Sequence, residues 1–311
     1  MQIELSLVVP LYNEESNLPE LYKRASAVMD GTGLTCELVL VNDGSYDRTL
    51  EIVKALAAGD NRVKYVSFSR NFGHQSAISA GMKAAQGAAI VTMDGDLQDP
   101  PELVMEMYQK FKTGYKVVYA KRKNRQGEGF FKKFTAKIFY RLLKAITSVD
   151  IPLDTGDFRL ISKDVAVHLE RMPETNKFLR GQIAWLGFKQ TGVEYDRPDR
   201  LHGETKYTLR KMVRLAFNGI TSFSDFPLRI ASVLGFLFSG VAFLVILYAL
   251  WSKFVWDEAV TGWTSLMIGV MFIGGIQLLC IGVIGEYLSR VGSDVRKRPD
   301  YIVEESNTLK D

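Results

Sequence analysis

The chain has 311 residues, room for one large domain or two modest ones with a real core. With 47% hydrophobic, 24% charged and 11% aromatic residues, wholesale disorder and collagen-like repeats are excluded, and a formal charge of +4 is too mild to imply nucleic acid. The two cysteines, Cys36 and Cys280, cannot build a disulfide framework and lack metal-site spacing, which points to a reducing or cytosol-facing compartment.

The N-terminus shows no basic leader followed by a long apolar run, so no signal peptide is expected there. Short apolar strands are expected at 5–9, 37–41, 63–68, 88–93 and 116–120, with helical periodicity at 18–29, 48–58, 75–85 and 102–112. This alternation predicts an α/β domain with a parallel sheet covered on both faces, binding its ligands at the carboxyl ends of the strands. Residues 129–149 then carry basic side chains (Lys133, Lys137, Arg141, Lys144) opposite an apolar stripe (Phe134, Ile138, Leu142, Ile146). The pattern fits a helix on an anionic membrane surface, or an ordinary amphipathic helix packed on its own domain. Residues 206–226 repeat it, interrupted by Gly219.

Residues 230–251 and 264–285 are each 22 residues long without a charge. At about 1.5 Å per residue, each run is long enough for a hydrocarbon core of about 30 Å. Basic residues crowd the outer flanks: Arg210, Lys211, Arg214 and Arg229 before the first run, Arg290, Arg296, Lys297 and Arg298 after the second. The positive-inside bias therefore puts both termini and the α/β domain in the cytoplasm. The expected organisation is a catalytic domain over 1–205, a juxtamembrane segment over 206–228, a transmembrane hairpin over 229–288 with spans near 230–251 and 264–286, and a cytosolic tail over 289–311. Glycines 269, 274, 275, 282 and 285 suit close helix packing, within the hairpin or in a homo-oligomer.

Acidic side chains recur after three of the strands, in PLYNEE (10–15), NDGS (42–45) and DGDLQDPP (94–101). There is no GxGxxG turn and no P-loop, so dinucleotide and P-loop chemistry lose their fingerprints, and the three histidines have no zinc spacing. Asp94 and Asp96 flank a residue without a side chain at a strand end. Such a pair can reach a hard divalent cation, and Mg²⁺ prefers one or two carboxylates together with substrate phosphates.

In this order, PxYNE, NDGS, NFGHQSA, MDGDLQDPP, VYAKR, TGDFRL and RLHGETKY resemble the family 2 glycosyltransferases of GT-A fold. The nearest likeness is to the polyprenyl-phosphate sugar transferases, which include dolichyl-phosphate mannose synthase and bactoprenol glucosyltransferase. It covers residues 3–210, and the two C-terminal runs match the bactoprenol branch. The resemblance implies that Pro10, Tyr12, Glu14, Val41 and Asp43 hold the nucleoside. It implies that Asp94, Gly95 and Asp96 hold the ribose-diphosphate and a metal, Mg²⁺ or Mn²⁺, with Gln98 as a further ligand. Arg122, Arg200 and Lys206 match phosphate-contacting positions, where cations would offset the repulsion between two anionic substrates.

Asp157 in TGDFRL matches the family's candidate base. A phosphate monoester is already ionised near neutral pH, so Asp157 is expected to position groups or offset charge more than to take a proton. The alternative is a structural pairing with Arg159. Two departures from the family pattern are Asn42, where many relatives have Asp, and Thr205, where Ser is usual.

The expectation is inverting transfer of a hexose from a nucleotide sugar, UDP-glucose favoured, onto polyprenyl phosphate at a bacterial inner membrane. GDP-mannose and a UDP-amino-arabinose derivative are the rival donors. A processive synthase would carry QxxRW, whereas residues 182–185 read QIAW. A membrane sensor of nucleotide sugars without activity is the alternative of another class.

Overall fold

The computed structural model describes residues 2–123, 152, 155–196, 224, 226–256 and 262–308. The chain divides into two compact units, Met1–Gly219 with Lys297–Asp311, and Ile220–Arg296. Arg200, Lys206 and the basic segment at 129–149 lie outside the described residues, as does nearly all of 206–228.

The first unit opens with β1 (Leu5–Leu11), α1 (Leu18–Thr32), β2 (Cys36–Asn42), α2 (Thr49–Gly59), β3 (Val63–Phe68), α3 (His74–Ala84) and β4 (Ala89–Thr92). A short 3₁₀ turn at Pro101–Leu103 leads into α4 (Val104–Lys112) and β5 (Val117–Arg122). Then come β6 (Thr155–Ser162), α5 (Lys163–Glu170), α6 (Leu179–Trp185) and β7 (Gln190–Tyr195). All seven residues of β1 and of β2 are buried, as in strands covered on both faces. Leu5, Leu7, Val9 and Leu11 point into a core with α1 and α4, while Val8 points the other way, into a core with α3 and α5.

The sheet has eight strands in the order β7-β5-β6-β4-β1-β2-β3-β8, where β8 is Val303–Ser306. It is mixed rather than parallel. β4, β1, β2 and β3 run parallel, as do β5 and β7, but β6 runs antiparallel between β4 and β5. The polar strand β8 runs antiparallel along β3. Residues 297–308, expected as part of a tail, thus rejoin the eight-stranded sheet of the first unit. Tyr301 stacks on Phe68 at 4.8 Å, Lys177 pairs with Asp300 at 3.1 Å, and Lys54 with Glu305 at 2.6 Å.

The second unit holds α7 (Phe226–Trp256) and α8 (Trp263–Val295), each longer than the apolar run it contains. Both are long and apolar enough to cross a membrane, with mean hydropathy of 2.1 and 1.8 over their candidate spans. They pack antiparallel: Phe238 meets Phe272 edge-on at 5.3 Å, and Cys280 Sγ lies 3.7 Å from the Ala231 carbonyl. Large apolar side chains such as Phe236, Phe243 and Leu278 are exposed, as lipid contact requires. A β-carbon added at any of the five glycines of α8 noted above would meet no described atom of a neighbouring element within 4 Å.

Candidate active site

The antiparallel course of β6 brings the strand-end motifs together. In its register Thr92 lies opposite Arg159. Continued by two residues, the same register sets Asp94 opposite Asp157, so the start of β6 shares an edge with the ends of β1, β2 and β4. A purely parallel sheet would not have put TGDFRL there.

One side of this edge is a pair of interlocked loops. Asp43 N donates to Leu11 O, Asn13 N to Ser45 Oγ (3.0 Å), and Tyr46 N to Asn13 Oδ1 (3.1 Å). Glu14 N donates to Thr49 Oγ1 (2.9 Å) and Glu15 N to Asp47 Oδ2 (3.2 Å). Glu14 Oε2 accepts from Asn17 Nδ2 at 2.7 Å. Tyr12 meets the largely exposed Tyr46 edge-to-face at 5.9 Å. Pro10 and Val41 are register partners inside the sheet, fully packed, so what they can offer a ligand is main chain.

Asp43 is 3% exposed and spends its carboxylate on the turn before α3. Its oxygens accept the Phe72 amide (2.7 Å), the Gly73 amide (3.0 Å) and Asn71 Nδ2 (3.0 Å). Burial pushes its carboxyl up, against the pull of the Phe72 and Gly73 amides. Gly44 beside it sits at φ +61°, where a β-carbon would come within 2.2 Å of the Arg70 carbonyl carbon, so this position admits glycine alone. Asn42 joins Ser67 Oγ (2.9 Å) and the Ser45 amide (3.2 Å), contacts that use both halves of the amide.

The other side is the DGDLQD turn. A β-carbon at Gly95 would meet Leu11 Cδ2 at 2.8 Å and Pro10 O at 3.2 Å, so the glycine lets the turn close onto β1. Leu97 is buried at φ 62°, and Asp96 Oδ1 accepts the Gln98 amide at 3.2 Å. Asp99, which the sequence reading passed over, is 2% exposed and accepts the Asp94 amide and the Tyr195 hydroxyl, each at 3.1 Å. Burial, reinforced by Asp99, pushes the Tyr195 hydroxyl up to about 12.

Between the two sides, the Asp157 side chain is 10% exposed. Arg180 grips it with two nitrogens, Nε to Oδ1 at 2.8 Å and Nη2 to Oδ2 at 3.2 Å, and Gln75 Nε2 donates to Oδ2 at 3.0 Å. His74 Nε2 stands 3.4 Å from Asp157 Oδ2 and 3.4 Å from Asp94 Oδ1. Burial alone would raise the Asp157 carboxyl, but the Arg180 guanidinium and His74 hold it well below the usual carboxylate range. Partial burial works against charge on His74, yet its bond to Asp157 and the field of Asp94 raise it to about 9. Arg159, 6% exposed, donates to Gly156 O at 2.7 Å, so the bidentate partner of Asp157 is Arg180. Burial brings Arg159 down to about 10, with Asp157 opposing. Arg122 lies on β5 with a nitrogen 3.4 Å from where a Gly156 β-carbon would stand.

Asp94 and Asp96 supply oxygen donors alone, and no group of three or more His, Cys, Asp or Glu side chains is poised around a metal among the described residues. Two carboxylates fit a hard divalent cation completed by diphosphate and water; they do not fit a closed structural site.

The model of the glycosyl transferase family 2 domain matches residues 6–169, which include every motif described above up to Arg159. The chain belongs to glycosyl transferase family 2. Its membrane unit is matched separately, as the GtrB C-terminal hairpin, over residues 226–291. This family 2 chain is 54% identical over 304 residues to the Bacillus subtilis (strain 168) protein named uncharacterized glycosyltransferase YkcC, covering 98% of this chain and 94% of that one. It is 42% identical to the prophage bactoprenol glucosyl transferase homolog of Escherichia coli (strain K12), over 97% of this chain and 99% of the relative. The bactoprenol glucosyl transferase of Shigella phage SfV is 39% identical over 97% and 98% of the two chains. The mixed sheet with its acidic edge is the catalytic domain of this GT-A family enzyme.

Proposed function

We propose that this family 2 enzyme transfers glucose from UDP-glucose to polyprenyl phosphate, with inversion, at a membrane that α7 and α8 cross. The observation that carries the reading is the union in one chain of a family 2 catalytic unit and a GtrB hairpin, aligned along 97% of its length with the bactoprenol glucosyl transferase homolog. A soluble acceptor calls for no bilayer, whereas an isoprenoid acceptor keeps its phosphate at one.

The interlocked loops at 12–15 and 43–47 would hold the nucleoside, through the Tyr12 ring, Glu14 and the main chain of Pro10 and Val41. Asp94 and Asp96, with Gln98, would hold Mg²⁺ or Mn²⁺, which supplies charge to offset the departing diphosphate. Gly95 leaves room for close approach of the backbone. Arg122, with Arg200 and Lys206, would carry the phosphate of the acceptor, bringing two anions together. The lipid phosphate oxygen attacks the anomeric carbon and the bond to the nucleotide breaks on the opposite face. Asp157 takes no proton in this scheme. Both of its oxygens are occupied by cationic or amide donors, and the nucleophile is already an anion.

The basic flanks of both apolar runs support a cytoplasmic catalytic unit. The return of the chain to the catalytic sheet after α8 agrees with two crossings, which bring it back to the side it left.

The test is transfer by the purified full chain with undecaprenyl phosphate and, separately, UDP-glucose, GDP-mannose and a UDP-amino-arabinose derivative. Lipid-linked glucose, detected by mass and lost with chelator and in Asp96→Ala, is the expected result. Product from GDP-mannose or the amino-arabinose donor alone would replace the sugar and keep the reaction. Nucleotide binding without product from any donor would leave a sensor.

A further inference from the structure

Asp157 is the convergence point of three elements. His74 and Gln75 come from the first turn of α3, Arg180 from the first turn of α6, and Asp157 itself from β6. Gln75 links the two helices directly: its Nε2 donates to Asp157 Oδ2 at 3.0 Å, and its Oε1 accepts the Leu179 amide at 3.2 Å. Arg180 closes the arrangement with a forked contact that a lysine, a single point charge, cannot reproduce. The result is a carboxylate held from several sides at 10% exposure, with a second guanidinium, Arg159, buried in the same strand. A carboxylate so surrounded stays an anion and does not move. What it presents to the rest of the site is His74, whose Nε2 it shares with Asp94, the first acid of the DxD turn, at 3.4 Å on each side.

We propose that Arg180 is a positioning residue for transfer: by clamping Asp157 it fixes His74 and Gln75, and through His74 the Asp94 side of the donor turn, so that the transfer geometry depends on an ion pair between α6 and β6. This rests on the glucosyl-transfer reading above. Arg180 touches neither substrate in this scheme and acts through Asp157. Its loss should therefore lower turnover while leaving the nucleotide-binding loops, which belong to β1 and β2, in place.

The experiment uses the full-length protein in detergent with UDP-glucose, undecaprenyl phosphate and Mg²⁺, comparing wild type, Arg180→Gln, Arg180→Lys, Asp157→Asn and the double variant Arg180→Gln/Asp157→Asn. UDP-induced thermal stabilisation serves as the folding and binding control. Arg180→Gln is expected to lower kcat by at least about tenfold with both KM values within about threefold of wild type. Arg180→Lys should recover part of that loss. In the Asp157→Asn background Arg180→Gln should cost less than about threefold more, because the residue it acts through is already altered. Full additivity in the double variant overturns the proposal. So does a raised acceptor KM at unchanged kcat, which would make Arg180 a phosphate contact. Should Arg180→Gln fail to fold, a normal kcat in Arg180→Lys overturns it, and a lowered kcat at normal KM supports it. Wild type that binds UDP yet transfers no sugar overturns the functional reading and this proposal with it; active wild type with additive losses overturns the proposal alone.

Discussion

Asp99 holds Asp94 from beneath, its Oδ2 accepting the Asp94 amide at 3.1 Å while its Oδ1 takes the Tyr195 hydroxyl at the same distance. The turn that carries the two acids is thereby tied to β7, two strands beyond β6 in the sheet. Tyr195→Phe removes one bond and is expected to cost about 1 kcal/mol, whereas Asp99→Ala leaves the buried Tyr195 hydroxyl and the half-buried Asp94 amide unmatched and should cost about 2–3 kcal/mol. Chemical unfolding checks both. Asp99→Ala should also weaken the metal-dependent stabilisation by UDP more than Tyr195→Phe does, and equal effects would mean that Asp99 does not order the turn.

Gly44→Ala combines a left-handed backbone with a collision against the main chain at Arg70. Main-chain atoms cannot swing aside as a side chain does, so the loop at 43–47 must shift. The expected outcome is a loss of UDP-induced stabilisation of at least about tenfold in affinity, with secondary structure by circular dichroism retained. Unchanged nucleotide affinity would separate this loop from the nucleoside site.

Asp60 gives a pH signature far from the active edge. It binds Arg62 through both oxygens at 2.8–3.1 Å and accepts from the Tyr22 hydroxyl at 3.1 Å. Arg62 holds its carboxyl down to about 2, against an ordinary value of 3.8. A folded-state value below the unfolded one means that its stabilisation is complete above the unfolded value. It is lost as pH falls through the interval between 3.8 and about 2. Asp60→Asn should be less stable than wild type at pH 7, and the gap should narrow across that interval in denaturant titrations. A gap that stays constant with pH would show that the charge contributes nothing.

Tyr301 tests the return of the chain to the sheet. Tyr301→Ala removes a ring stacked on the fully packed Phe68 and should lower stability by about 1–3 kcal/mol. Tyr301→Phe should keep most of it. Loss of equal size in both variants would assign the effect to the hydroxyl instead of the ring.

The first five strands and their helices were legible because each is a short, largely apolar run bounded by turn residues, and β1 and β2 are buried on both faces. The later strands were not. β8, with the sequence VEES, is a polar edge strand whose partner lies more than 230 residues away, so no local pattern marks it. β6 was visible as a motif but its direction was not, and direction is what puts Asp157 opposite Asp94. The acids of the DxD turn could be read from spacing at a strand end. Arg180, Gln75 and Asp99 could not be ranked, because each is an ordinary residue in sequence and acquires its role only across space. An arginine opening a seven-residue helix looks like any solvated cation until the carboxylate it grips is known.

The edge of β3 is sealed by a strand made more than 230 residues after it. Between Phe68 and Val303 the chain makes the rest of the catalytic sheet and then both apolar helices. At roughly 5–20 residues per second, β3 waits on the order of tens of seconds with an open row of amides and carbonyls. Completion of the catalytic sheet therefore waits on synthesis of both apolar helices. A nascent or truncated chain ending before residue 303 would own its DxD turn and both apolar helices, yet would still offer β3 as a template for pairing with a stranger.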